Sequence, residues 1–127
     1  MTYTGKISGP IIVVDNDDPV DAAPLKLAYV KTLRKAGTLD LLRLCWVRGA
    51  GHGGQTDIDR VAGFVTLIDR LGSGRWPDTS PAAMNVLAER LSKETSLKLG
   101  VPTFFNSNPP MPLRTWDKSD WGSYRPK

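Results

Sequence analysis

The 127-residue chain is poor in the residues that most often announce a chemistry. It holds one cysteine, Cys45, and one histidine, His52. A single thiol cannot build an internal disulfide framework, so the fold has to stand on its core. Cys45 lies inside an apolar run, LLRLCWV, where a buried and inert thiol is expected rather than a reactive one. No apolar run is long enough to cross a bilayer, and the first residues, MTYTGKISG, lack the apolar stretch of a secretory leader. A reducing, cytoplasmic setting is the expectation. Internal repeats, low-complexity tracts and dense Lys/Arg blocks are also missing, which leaves a nucleic-acid role weakly supported.

What is there fits one small globular domain. Apolar residues make up 40% and charged residues 24%, near the values of folded proteins, and 127 residues suffice for a modest core. Twelve glycines and ten prolines imply many loops. The net charge of +4 is unevenly spread. Residues 1–21 balance to −3, because Lys6 faces Asp15, Asp17, Asp18 and Asp21, whereas residues 22–127 balance to +7. A moderately basic body of this kind attracts phosphate-bearing partners.

Hydrophobic patterning orders the elements. Ile11 to Val14, a continuous β-branched run after Gly9-Pro10, reads as a short buried strand. A helix is predicted over about 20–36, with Pro19 or Pro24 in its first turn and Gly37 as its stop. Leu39 to Val47 reads as a strand, with a short helix capped by Thr38 as the alternative. Thr56 or Asp57 can cap a helix whose apolar stripe is Ile58, Val61, Val65, Ile68 and Leu71, ending at Gly72. Ser80 and Pro81 open another helix, faced by Met84, Leu87, Leu91 and Val86, that runs to about 93 or 98. VPTFFNS after Gly100 suits a last strand. The predicted class is α/β: a three-layer domain over residues 1–107 with a short parallel sheet in the order β-α-β-α-α-β. The alternative is an all-α bundle. Residues 108–127, rich in proline and carrying Trp116, Trp121 and Tyr124, form an arm that packs on the domain or on a partner protein.

In an open parallel sheet ligands bind beyond the carboxyl ends of the strands. Three loops are expected to meet there: DNDDPVD, RGAGHGGQT and NSNPPMP, the last bringing Asn106. The first can hold a hard cation, Ca²⁺ or Mg²⁺, on Asp15, Asp17 and Asp21, or offer one carboxylate as a general base, or simply cap the helix that follows. Its spacing is not that of an EF-hand, which would need Glu at Lys26 and Gly at Val20. The second loop, with Gly51, Gly53 and Gly54 before a helix, can present backbone N–H groups to an anion, helped by Arg48 and Arg60, or it is a flexible turn. His52 is a candidate acid/base group or an ordinary exposed histidine.

IIVVDNDDPVDAA, LDLLRLCWVRGAG and VPTFFNSNPPMPL, spanning about 10–113, resemble the N-terminal part of the nucleoside hydrolases, whose first strand leads into the pattern D-x-D-P-G-x-D-D. The resemblance implies that Asp15, Asp17 and Asp21 bind Ca²⁺ and ribose hydroxyls and that Asp17 activates the attacking water. The chain departs from the pattern at Asp18, Pro19, Ala22 and Ala50, which stand where the family has Pro, Gly, a metal-binding Asp and Asn. It is less than half the family's usual length. The leading expectation is therefore a domain binding a nucleoside- or nucleotide-like ligand. A non-enzymatic assembly protein docking through its aromatic arm, or a basic nucleic-acid binder, are the alternatives.

Overall fold

The computed structural model describes residues 4–16, 23–48, 55–95 and 99–105. Three strands and three helices follow one another as β1 (Ile11–Asn16), α1 (Ala23–Ala36), a 3₁₀ turn (Leu39–Leu41), β2 (Leu42–Val47), α2 (Asp57–Ser73), α3 (Pro81–Thr95) and β3 (Phe104–Phe105). The α/β class holds, and the all-α alternative falls with the strand at 42–47. No helix among the described residues is long and apolar enough to cross a membrane.

β1 and β2 pair in parallel, from Ile11 opposite Leu42 to Asn16 opposite Val47. β3 corrects the expectation of a wholly parallel sheet. It pairs antiparallel with β2, Phe104 opposite Val47 and Phe105 opposite Trp46, so the sheet is mixed and ordered β1-β2-β3. Two side-chain clamps set this direction. Asn85 of α3 accepts from the Phe104 N–H at 3.0 Å and donates to its carbonyl at 3.0 Å, acting as a strand partner on the outer side. Thr103 is held by Asp59 of α2. The segment before β3 therefore lies at the carboxyl edge of the parallel pair.

Alternation of side chains sorts the layers. Ile12 and Val14 join the core formed by Cys45, Val47, Ile58, Ala62, Met84, Ala88 and Phe104, on the side of α2 and α3. Asp15 and Trp46 point to the other side, where both meet Lys26 of α1. The sheet thus lies between α1 and the α2/α3 pair. Fully burying side chains the size of Ile58, Met84 or Leu33 stabilises the fold by about 1.5–3 kcal/mol each.

The helix boundaries follow local chemistry. α1 ends where Gly37 takes φ +75°, and the N–H groups of Gly37 and Thr38 return to the carbonyls of Arg34 and Leu33 at 3.2 and 3.0 Å. α2 begins with a capping box between Thr56 and Asp59 and ends at Gly74 in the left-handed region, two residues beyond the expected Gly72. Ser80 caps α3 by accepting from the Ala83 N–H at 3.3 Å.

The face that α2 buries differs from the expected stripe. Ile58, Asp59, Ala62, Gly63 and Thr66 are buried, whereas Ile68 and Leu71 are exposed. Small residues win because the helix lies close to the sheet: a Cβ on Gly63 would stand 2.5 Å from Cγ2 of Val14. On α3, Val86 is likewise exposed, and Met84 and Ala88 make the contact.

Candidate functional site

Of the sequence-derived site residues, the described structure contains Asp15, Arg48 and Arg60. Asp17, Asp21, Gly51, His52, Gly53, Gly54, Asn106, Trp116, Trp121 and Tyr124 lie outside the described residues. The expected meeting of three post-strand loops involves residues 17–22, 49–54 and 106 onward, which lie outside the described residues.

Asp15 stands on a row that crosses all three strands, and Arg48 reaches over its far end. Asp15 on β1 is opposite Trp46 on β2, and Trp46 is opposite Phe105 on β3. Paired residues share a face, so carboxylate, indole and phenyl ring line up on the α1 side of the carboxyl edge. All three are half-buried. Two cations overlie the row. Lys26 Nζ lies 5.3 Å from the Trp46 ring centroid, and the Arg48 guanidinium 5.4 Å from that of Phe105. The Arg48 N–H also donates to the Thr103 carbonyl at 2.9 Å, which extends the β2–β3 pairing.

Donors surround the Asp15 carboxylate. Lys26 forms an ion pair with Oδ2. Oδ1 accepts from the Gln55 side-chain amide at 2.8 Å and from the Asn16 N–H at 2.9 Å. Gln55 is turned toward Asp15 because its carbonyl oxygen accepts from Arg60 at 3.3 Å, and Arg60 is held by Asp57 at 3.6 Å. A cation site was expected at Asp15. Of the three aspartates expected to share it, only Asp15 is among the described residues; there the Lys26 ammonium, not an acidic neighbour, stands beside the carboxylate. Among the described residues no three acidic, histidine or cysteine side chains gather as a metal site.

A second cluster supports the edge from below. Asp59 is fully buried. Its Oδ1 accepts from the Thr103 N–H at 3.0 Å, and its Oδ2 accepts from the Thr103 hydroxyl at 2.9 Å, the Thr56 hydroxyl at 2.8 Å and the Thr56 N–H at 3.1 Å. The Ile58 N–H adds a bond to the Leu99 carbonyl at 2.9 Å. One carboxylate thus both caps α2 and fixes the segment entering β3. Gly100 takes φ +93° beside Thr56, where a side chain would meet the threonine Cβ at 3.1 Å. Thr56 was legible as a cap; its pairing with Asp59 and the reach of Asp59 to Thr103 were not. Lys26, Trp46 and Gln55 carried no motif that would single them out.

Cys45 is buried in the core. Burial pushes its thiol up from the ordinary 9.0 to about 11, against a smaller lowering by the charge of Arg43. Its burial is what its apolar setting predicts.

No family model and no solved structure matches the chain. An o-phthalyl amidase of Xanthobacter agilis is 32% identical over 59 residues, 46% of this chain and 13% of the amidase. The likeness therefore spans a small part of a much longer enzyme.

Proposed function

We propose that the carboxyl edge of the sheet binds a nucleoside- or nucleotide-like ligand and serves hydrolysis of a carbon–nitrogen bond. The row Asp15–Trp46–Phe105 with its two cations carries this reading. A carboxylate suits hydroxyl groups, half-buried aromatic rings suit a planar base, and the exposed Arg48 suits a phosphate. The resemblance of the first strand and its acidic loop to nucleoside hydrolases points the same way. The partial likeness to an amidase fits a common chemistry, since an amide and an N-glycosidic bond both join carbon to nitrogen.

In this reading Asp17 takes a proton from water, the hydroxide adds to the carbon, and the C–N bond breaks. His52 returns a proton to the leaving nitrogen. Asp21 and Asp15 hold hydroxyls of the ligand, and the N–H groups of Gly51, Gly53 and Gly54 cradle an anionic group.

Thermal unfolding against nucleosides, nucleotides and aryl amides tests the proposal, because a ligand of the native state raises the melting temperature. A shift that disappears in Asp17→Ala and in Trp46→Ala supports it. No shift with any of the three classes refutes it.

A further inference from the structure

We propose that Lys26 supplies the cation of this site: its ammonium takes the place beside Asp15 that a divalent ion would fill, and the carboxylate is neutralised from within the chain. The inference rests on Asp15 being the carboxylate of the proposed ligand site and names how that charge is compensated.

Three observations carry it. First, Lys26 is not a surface lysine in passing contact. Its side chain is 16% exposed and that of Asp15 26%, and the ammonium also lies over Trp46. Second, Lys26 stands in the first turn of α1, which contains no acidic residue. A cation there opposes the helix dipole and is normally disfavoured. A residue that breaks a local rule is expected to serve a site, and here the Asp15 carboxylate is the compensation. Third, the chain lacks the acidic residue at position 22 that the D-x-D-P-G-x-D-D pattern calls for: Ala22 stands there, four residues before Lys26. The stretch that lacks this carboxylate is the one that brings an ammonium to Asp15. The donors from Gln55 and Asn16 then hold Asp15 in the orientation the pair requires.

The test reads terbium luminescence excited through tryptophan on the full chain, because an ion in place of the ammonium would sit close to Trp46. The wild type is expected to give no sensitised signal at micromolar terbium, with a melting temperature unmoved by Ca²⁺ or EDTA. Lys26→Gln is expected to bind terbium at least about tenfold more tightly than the wild type. That signal should be displaced by Ca²⁺ and lost again on adding Asp15→Asn or Trp46→Phe. Lys26→Arg, which keeps the charge, should stay dark. Equal terbium binding by wild type and Lys26→Gln overturns the proposal, and so does a lack of binding by both. If Lys26→Gln does not fold, the wild type still decides: a Ca²⁺-dependent rise in melting temperature that Asp15→Asn abolishes overturns it, and indifference to Ca²⁺ and EDTA with a lower melting temperature in Lys26→Arg supports it. None of these readouts uses an organic ligand, so a failed nucleoside panel beside a terbium-binding Lys26→Gln would sink only the ligand reading.

Discussion

Asp59→Ala is the sharpest test of how the carboxyl edge is held. The carboxylate is fully buried and accepts four hydrogen bonds, two from Thr56 and two from Thr103. Hydrogen bonds to a charged group are worth roughly 1.5–3 kcal/mol each, and loss of a helix cap about 1 kcal/mol. The terms share one carboxylate and do not add fully. A loss of about 3–5 kcal/mol is expected, a large fraction of the 5–15 kcal/mol that holds a typical domain. Asp59→Asn keeps the shape and one acceptor but turns an NH₂ toward donors, and should cost about 2 kcal/mol. Urea unfolding gives both values, and hydrogen exchange at the Thr103 amide reports whether the 99–103 segment has let go. If Asp59→Ala loses less than about 1 kcal/mol while Thr103 stays protected, the latch is not what holds this segment.

Other perturbations probe separate contacts. Gly63→Ala gains about 1 kcal/mol of helix propensity but drives a methyl into Val14, an overpacking cost of about 1–3 kcal/mol; net destabilisation in urea, relieved when Val14→Ala is added, is expected, and a stabilised single variant would contradict the close helix–sheet contact. Asn85→Ala removes both bonds to Phe104 and should cost about 2 kcal/mol, with faster exchange of the Phe104 amide. Cys45 should resist thiol reagents at pH 8 until the protein is unfolded. Because its folded value of about 11 exceeds the ordinary 9.0, the thiol's contribution is complete below pH 9 and disappears as pH rises toward 11. That loss is about 3 kcal/mol at most, and a Cys45→Ala variant should lack it in paired urea titrations.

The order of elements was readable because each boundary had a local cause. Ile11 to Val14 form a β-branched run, Gly37 can take a positive φ, and Thr56 and Ser80 are caps. The direction of β3 was not readable, since two residues carry no periodicity and their pairing is imposed by Asn85 and Asp59 from distant helices. The buried face of α2 was misread for a different reason. A stripe chosen by size selects Ile68 and Leu71, but a helix lying close to a sheet buries its small residues, Ala62 and Gly63. At the candidate site, Asp15 stood out in an acidic cluster. Its partners Lys26 and Gln55 are common residue types whose roles arise only when α1 and α2 converge on the end of β1.

The two sides of the sheet differ in what they offer to another chain. At β3, Asn85 occupies the backbone groups of Phe104 as a neighbouring strand would, so that side cannot template growth there. Along the outer edge of β1 no strand pairs among the described residues, and the half-buried segment Ile11 to Val14 has the uncharged β-branched character of an aggregation-prone stretch. Parallel self-pairing along that edge would set Asp15 beside Asp15 and bring two acidic loops together. Acidic residues placed next to such a stretch disfavour self-association, and the proposed ligand-binding aspartates follow this one in sequence. Substitutions that neutralise them to probe binding would also remove that protection, and such variants should be compared at equal and low protein concentration.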